Sequence, residues 1–210
     1  MIINIKNQFI AVIARIDLRI FIVCLLVLVM GLVAYAGLMS KNDKPINPRA
    51  FKPLLNLIAK GESDDNYNAY FGNPSNQEIN FTNMTIAEVL SWQTNYIKQG
   101  SPSSAVGRYQ IINKTLAGLV DQLDLDTSKI FDEELQDRLA IALLERRGAK
   151  DFVNGRISRE EFASNLSKEW AALPKVLGDN PHESYYASDG LNQSRIAVTD
   201  LLKVIKKVES

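Results

Sequence analysis

PLLNLIAKGESDDN, residues 53 to 66, changes character within one segment. Leu54, Leu55, Leu57 and Ile58 recur at helical spacing, and Pro53 suits the first turn of a helix, where its missing N–H costs nothing. Gly61 and the Asp64-Asp65-Asn66 cluster are stop signals. Glu62 therefore stands where an apolar helix gives way to a polar loop. The negative end of the helix dipole favours its protonated form, and partial burial raises its pKa further. A carboxylic acid kept protonated near neutral pH is what the breaking of a glycosidic bond requires, because the leaving oxygen must receive a proton. From position alone, a solvated Glu at a helix end is the commoner case.

The rest of the soluble part reads as helices with clear punctuation. Thr85-Ile-Ala-Glu88 and Ser158-Arg-Glu-Glu161 have capping-box spacing. The first opens a helix through Val89, Leu90 and Trp92. The second precedes Phe162, Leu166 and Trp170, spaced on one helical face. Asn113 or Thr115 starts a helix carrying Leu116, Leu119 and Leu123. Asp132 caps one carrying Leu135, Leu139 and Leu143 that ends at Gly148. A last helix carries Ile196, Val198, Leu201, Leu202 and Ile205. Between the first two helices, Tyr67 to Met84 is rich in Asn, Gly and aromatics, and strand pieces such as Glu78 to Thr82 are expected there. Roughly six helices with a small β element make an α+β, mainly helical domain over residues 50–210.

Upstream, IFIVCLLVLVMGLVAYAGLMS, residues 20–40, contains no charged residue and is read as one N-terminal transmembrane helix, retained as an anchor. Residues 1–19 form a lead-in in which Ile2 to Ile13 are candidates for an amphipathic segment. Residues 41–49, polar with two prolines, form a linker. Lys6, Arg15 and Arg19 before the span and Lys41, Lys44, Arg49 and Lys52 after it leave charge bias indecisive about orientation.

Composition narrows the chemistry. With 46% hydrophobic and 23% charged residues among 210, the chain is globular rather than disordered. Its formal net charge of zero gives no basic balance toward nucleic acid. One cysteine, Cys24, and one histidine, His182, argue against a structural zinc site and against a Cys-His or Ser-His-Asp centre. The burden falls on carboxylates. Asp64 and Asp65, adjacent to Glu62, read as turn formers, with a second catalytic carboxylate as the competing reading.

A second stretch, Ser104 to Ile112, adds features of a ligand loop. Gly107 allows close backbone approach, Gln110 offers donor and acceptor, and Tyr109 presents a face on which a sugar can stack. A plain Gly-turn entering a helix, with Arg108 and Tyr109 as its surface, has the same pattern.

Lys60-Gly-Glu62-Ser63, then Tyr67-Asn68-Ala69-Tyr70, then Gly107-Arg108-Tyr109-Gln110, then Glu169-Trp170-Ala-Ala-Leu-Pro174 resemble the phage lambda endolysin family of lytic transglycosylases. They also resemble phage muramidase-like domains, in which Thr85 to Val89 has a counterpart. The match covers most of residues 53 to 175. Gly61 departs from it, since the lambda enzyme carries Ser there, and the stretch after Pro174 matches poorly. The resemblance implies a lysozyme-like fold, Glu62 as catalytic acid, and Gly107, Arg108, Tyr109 and Gln110 along a sugar-binding cleft. Ser63 and Tyr67, within the matching motifs, join them as candidate substrate-binding residues. Trp92 is a further candidate, although its amphipathic spacing favours the core.

Joined to the apolar segment at residues 20–40, which the lambda enzyme lacks, the resemblance leads to the expectation of a membrane-anchored phage enzyme that cleaves the MurNAc–GlcNAc bond of peptidoglycan by lytic transglycosylation, for host lysis or wall penetration. Hydrolysis of the same bond with water, or a non-catalytic glycan-binding virion protein, are the competing expectations. No cofactor or metal is required. The expected partners are peptidoglycan glycan strands and, through residues 20–40, membrane lipid, with no nucleic acid and a monomeric catalytic domain. The expected location is the host inner membrane with the catalytic domain on the periplasmic side, or else a virion membrane.

Overall fold

The computed structural model describes the backbone of residues 18–41 and 43–208, and the side chains of the first helix over 20–31. The chain divides into two units, one ending at Lys44 and one beginning at Pro45.

The first unit contains α1 (Leu18–Lys41). No helix among the described residues is long and apolar enough to cross a membrane. This corrects the expectation of a transmembrane helix at 20–40. It also removes the basis for placing the chain in the host inner membrane or a virion membrane. The lead-in segment, Ile2 to Ile13, lies outside the described residues.

The second unit is mainly helical. A 3₁₀ turn (Pro48–Phe51), opened by the Asn47 side chain accepting from the Arg49 N–H, runs into α2 (Lys52–Ser63). Then follow α3 (Ile86–Lys98), α4 (Asn113–Leu123), α5 (Glu133–Arg146), the short α6 (Ala149–Val153), α7 (Arg159–Ser167) and α8 (Val198–Lys206). Both capping boxes form: Thr85 and Glu88 satisfy each other's backbone N–H groups at the head of α3, and Ser158 and Glu161 do so at the head of α7. Asp132 caps α5. The first amide of α4 is instead satisfied from the preceding loop, where Ser104 Oγ accepts from the Asn113 N–H at 3.0 Å.

α5 lies deepest, burying Leu135, Leu139, Ala140, Ala142, Leu143 and Leu144. Phe152 stacks on Phe162 at 4.8 Å between centroids, and Phe51 meets Phe162 edge-on. The C-terminal α8 packs on both α7 and α2, burying Leu201 and Ile205. This brings the end of the chain to the helix that carries Glu62.

The expected β element is absent. Among the described residues there is no strand, only isolated bridges such as Tyr70 with Val106 and Val106 with Ile111. Asparagine side chains do the work of a ladder between residues 66 and 82. Asn76, almost fully buried, donates to the carbonyls of Asn68 and Ile79 and accepts from the N–H groups of Glu78 and Ile79. Asn66 donates to the carbonyls of Pro74 and Asn76, and Asn68 accepts from the Thr82 N–H. With backbone groups satisfied by side chains, pairing into a sheet gains nothing.

Trp170 also departs from the helical reading. α7 stops at Ser167, and Trp170 is buried in the succession of turns that follows. That segment, residues 168–174, forms one wall of the site.

Candidate active site

Glu62 occupies the last turn of α2. The helix ends because Asp64 (φ 54°) and Asp65 (φ 72°) both take left-handed conformations, with the Asp64 N–H returning to the Ala59 carbonyl. Gly61 does not end the helix. It sits inside it because a Cβ there would lie 2.9 Å from the Ala172 Cβ and 3.1 Å from Ile196 Cγ1. The absent side chain lets the 168–174 segment close against α2. As a result the Ala172 N–H donates to Glu62 Oε1 at 2.9 Å.

The carboxyl is half-buried and opens onto a cleft of about 720 Å³. Burial pushes its pKa up from the ordinary 4.5 to about 7; the Ala172 hydrogen bond and the Arg195 charge pull the other way without cancelling it. Two other carboxylates line the cleft, and both are engaged. Glu169 is buried against Arg147 at 2.7 Å. Asp189 accepts from the N–H groups of Leu191 and Asn192 and from the Asn192 side chain, which hold it below its usual range.

The loop candidates separate into two groups. Tyr109 and Gln110 line the cleft with Glu62. Gln110 takes φ 47° and folds its amide back to donate to the Gly107 carbonyl at 2.9 Å. Ser63, Tyr67, Gly107 and Arg108 lie behind this surface in a buried network. Ser63 Oγ donates to the Arg108 carbonyl at 2.8 Å. The Arg108 guanidinium reaches Asn56 (2.9 Å), Asp65 (2.8 Å), Asp137 (3.2 Å) and the Tyr109 hydroxyl (2.6 Å). It also lies 5.0 Å over the Tyr67 ring. Both tyrosine hydroxyls donate to Asp137 Oδ1, at 2.9 Å from Tyr67 and 2.7 Å from Tyr109.

Burial and then the Asp137 bond push the Tyr67 hydroxyl up to about 12, and the same causes raise Tyr109. For Arg108, burial acts to lower the pKa but is outweighed by Asp65 and its other neighbours, which hold it above its ordinary range. Gly107 (φ 77°) has no room for a side chain, since a Cβ would run into the Gln136 amide that caps the Arg108 N–H.

Trp92 is placed apart from the cleft lining, in an aromatic cluster. It stacks on Tyr96 at 4.7 Å and meets Phe81 and Tyr70 edge-on. Tyr70 is the member of that cluster that reaches the cleft wall. His182 lies exposed in the 175–183 loop, away from this lining. Among the described residues no group of His, Cys, Asp or Glu is arranged to hold a metal ion.

Ala172 and Arg195 touch the turn bearing Glu62, and local pattern did not single out either. The first belongs to a quoted motif but acts through its backbone. The second lies beyond Pro174, where the resemblance fades. The sequence model of one family, described as endolysin, matches residues 53–195, from the first turn of α2 to Arg195 itself. The chain belongs to the endolysin family. It is accordingly a phage enzyme that degrades peptidoglycan, and Glu62, Ala172 and Arg195 all lie within the endolysin match. No curated protein and no solved structure matches the sequence.

Proposed function

We propose that residues 50–210 are the catalytic domain and cleave the glycan strand of peptidoglycan at the MurNAc–GlcNAc bond by lytic transglycosylation, with Glu62 as acid and then base. The observation that carries this reading is the state of Glu62: a carboxyl that burial brings to a pKa of about 7, opening onto a cleft large enough for sugar rings. A proton passes from Glu62 to the leaving glycosidic oxygen as its bond to the muramic acid C1 breaks. The resulting carboxylate takes the proton of the same sugar's 6-hydroxyl while O6 bonds to C1. The products are a 1,6-anhydro end and a free 4-hydroxyl, and Glu62 returns to its starting state.

Hydrolysis would need a second carboxylate free to handle water or to attack C1. The engagement of Glu169 with Arg147 and of Asp189 with its own turn favours the single-carboxyl route. In this reading Gln110 contacts glycan, while Ser63, Gly107, Arg108, Tyr67 and the buried Tyr109 hold the loop that presents it. Mass spectrometry of purified wall digests tests it. Anhydro-muramic ends are expected, reducing muramic ends would indicate hydrolysis, and neither would indicate binding without turnover.

A further inference from the structure

The turn carrying Glu62 is attached to the C-terminal part of the domain through one residue in two ways. The Arg195 backbone N–H donates to the Ala172 carbonyl at 2.9 Å, with the Ile196 N–H joining it at 3.2 Å. The Arg195 guanidinium donates from Nη1 to the Gly61 carbonyl at 3.2 Å. Ala172 is the residue whose N–H holds the Glu62 carboxyl, and Gly61 is the residue before Glu62. The Gly61 carbonyl is among the last of α2, where no intrahelical donor remains and a cation complements the dipole.

We infer that Arg195 is a positioning residue for Glu62: it ties together the two backbone segments that fix the carboxyl and sets a guanidinium beside it. This rests on the reading of Glu62 as the acid. Transfer of its proton leaves a negative charge in a desolvated place, and a fixed cation there stabilises the carboxylate without hydrogen-bonding it away from substrate. A desolvated acid with no such neighbour holds its proton too tightly for efficient transfer near neutral pH.

The other charged groups lining the cleft are Arg146 and Arg147 from α5, Lys168 and Glu169 after α7, and Asp189. Arg147 and Glu169 pair with each other, Lys168 reaches the Asn165 side chain, Arg146 reaches Gln122, and Asp189 serves its own turn. The Tyr109 hydroxyl is turned to Asp137. Arg195 is the neighbour whose charge acts on Glu62.

Much of the Arg195 side chain remains exposed, so its replacement is expected to leave the fold intact. The test uses the full chain with Arg195→Gln and Arg195→Lys, measured by ¹³C-carboxyl NMR titration of Glu62 and by kinetics on solubilised glycan fragments. Arg195→Gln is expected to move the Glu62 titration to higher pH and to lower kcat about 10-fold or more with KM within about two-fold. Arg195→Lys is expected to return the titration toward that of the parent and to recover part of kcat. An unmoved titration in Arg195→Gln, or equal losses in both variants, overturns the inference and leaves Arg195 a structural residue. Activity in Glu62→Gln reports separately on the acid reading, whereas the titration reports on Arg195 whether or not Glu62 is the acid.

Discussion

Two surfaces grip the last turn of α2, and they do so by opposite means. On one side Ser63, Asn56 and Asp65 are fastened to Arg108, which with Tyr67, Tyr109 and Asp137 forms a dense buried network. On the other side a single backbone N–H, from Ala172, meets the Glu62 carboxyl, and exposed Arg195 braces it. The network side holds many charged and polar groups whose hydrogen bonds are spent on each other. The Ala172 side holds few, and its carboxyl keeps capacity for a ligand. The comparison teaches that richness in polar side chains marks the support, while the carboxyl proposed as the acid sits where the partners are sparse.

Exchange of one atom on the sparse side is the largest test of this contrast. Glu62→Gln keeps the shape and still accepts from Ala172, but it has no proton to give, so wall cleavage is expected to fall by at least about 10²–10⁴-fold. Circular dichroism and thermal melting are expected to show an intact fold. A folded and active variant would remove Glu62 from the mechanism and erase the distinction between the two sides.

On the network side the expected loss is stability. Arg108→Met leaves Asp137 and two tyrosine hydroxyls without their cation, which for a broken buried ion pair costs about 3–5 kcal/mol. Asp65 and Asp137 are partly exposed and regain water, so the lower end of that range is expected in urea denaturation. A loss under about 1 kcal/mol with cleavage abolished would mean that Arg108 touches substrate rather than support.

pH separates the sides further. Glu62 binds its proton more tightly in the fold, at about 7, than at its ordinary 4.5. Its contribution to stability is therefore full below about 4.5 and is lost as pH rises through about 7, on the order of 2 kcal/mol after allowance for partial exposure. Cleavage is expected to decline above pH 7 as the acid ionises. Glu62→Gln should flatten that stretch of the stability profile, and a profile unchanged by the substitution would contradict the raised pKa. The smallest effect belongs to the network's rim: Asp65→Asn, at an exposed carboxylate, is expected to cost at most about 1 kcal/mol in the same denaturation assay.

Much of this arrangement was legible because it is local. Both capping boxes and the Asp132 cap join residues three apart, so sequence spacing is the geometry itself. Glu62 was legible as a carboxyl at the end of an apolar helix. The strand expected at Glu78 to Thr82 failed because Asn66, Asn68 and Asn76 satisfy the backbone from a distance that alternation does not encode. The helix expected to reach Trp170 stopped at Ser167, since burial of Trp170 needs only its position in the chain and not a helix beneath it. The apolar run at 20–40 suggested a membrane span, whereas no helix among the described residues is long and apolar enough to be one. Gly-Arg-Tyr-Gln carries no sign of which side faces inward, so the burial of the Arg108 and Tyr109 side chains was not legible. Arg195 was invisible for the plainest reason: its link to the Glu62 turn joins residues at opposite ends of the domain.

Asn76 has one more consequence. Its single amide closes contacts to Asn68, Glu78 and Ile79, so this part of the loop between α2 and α3 is gathered on one side chain, with Asn66 and Asn68 fastening its flanks. A ladder frays from its ends, one rung at a time. A loop gathered on one side chain opens as a unit or stays shut, and its amides should exchange with solvent together, as one cooperative event.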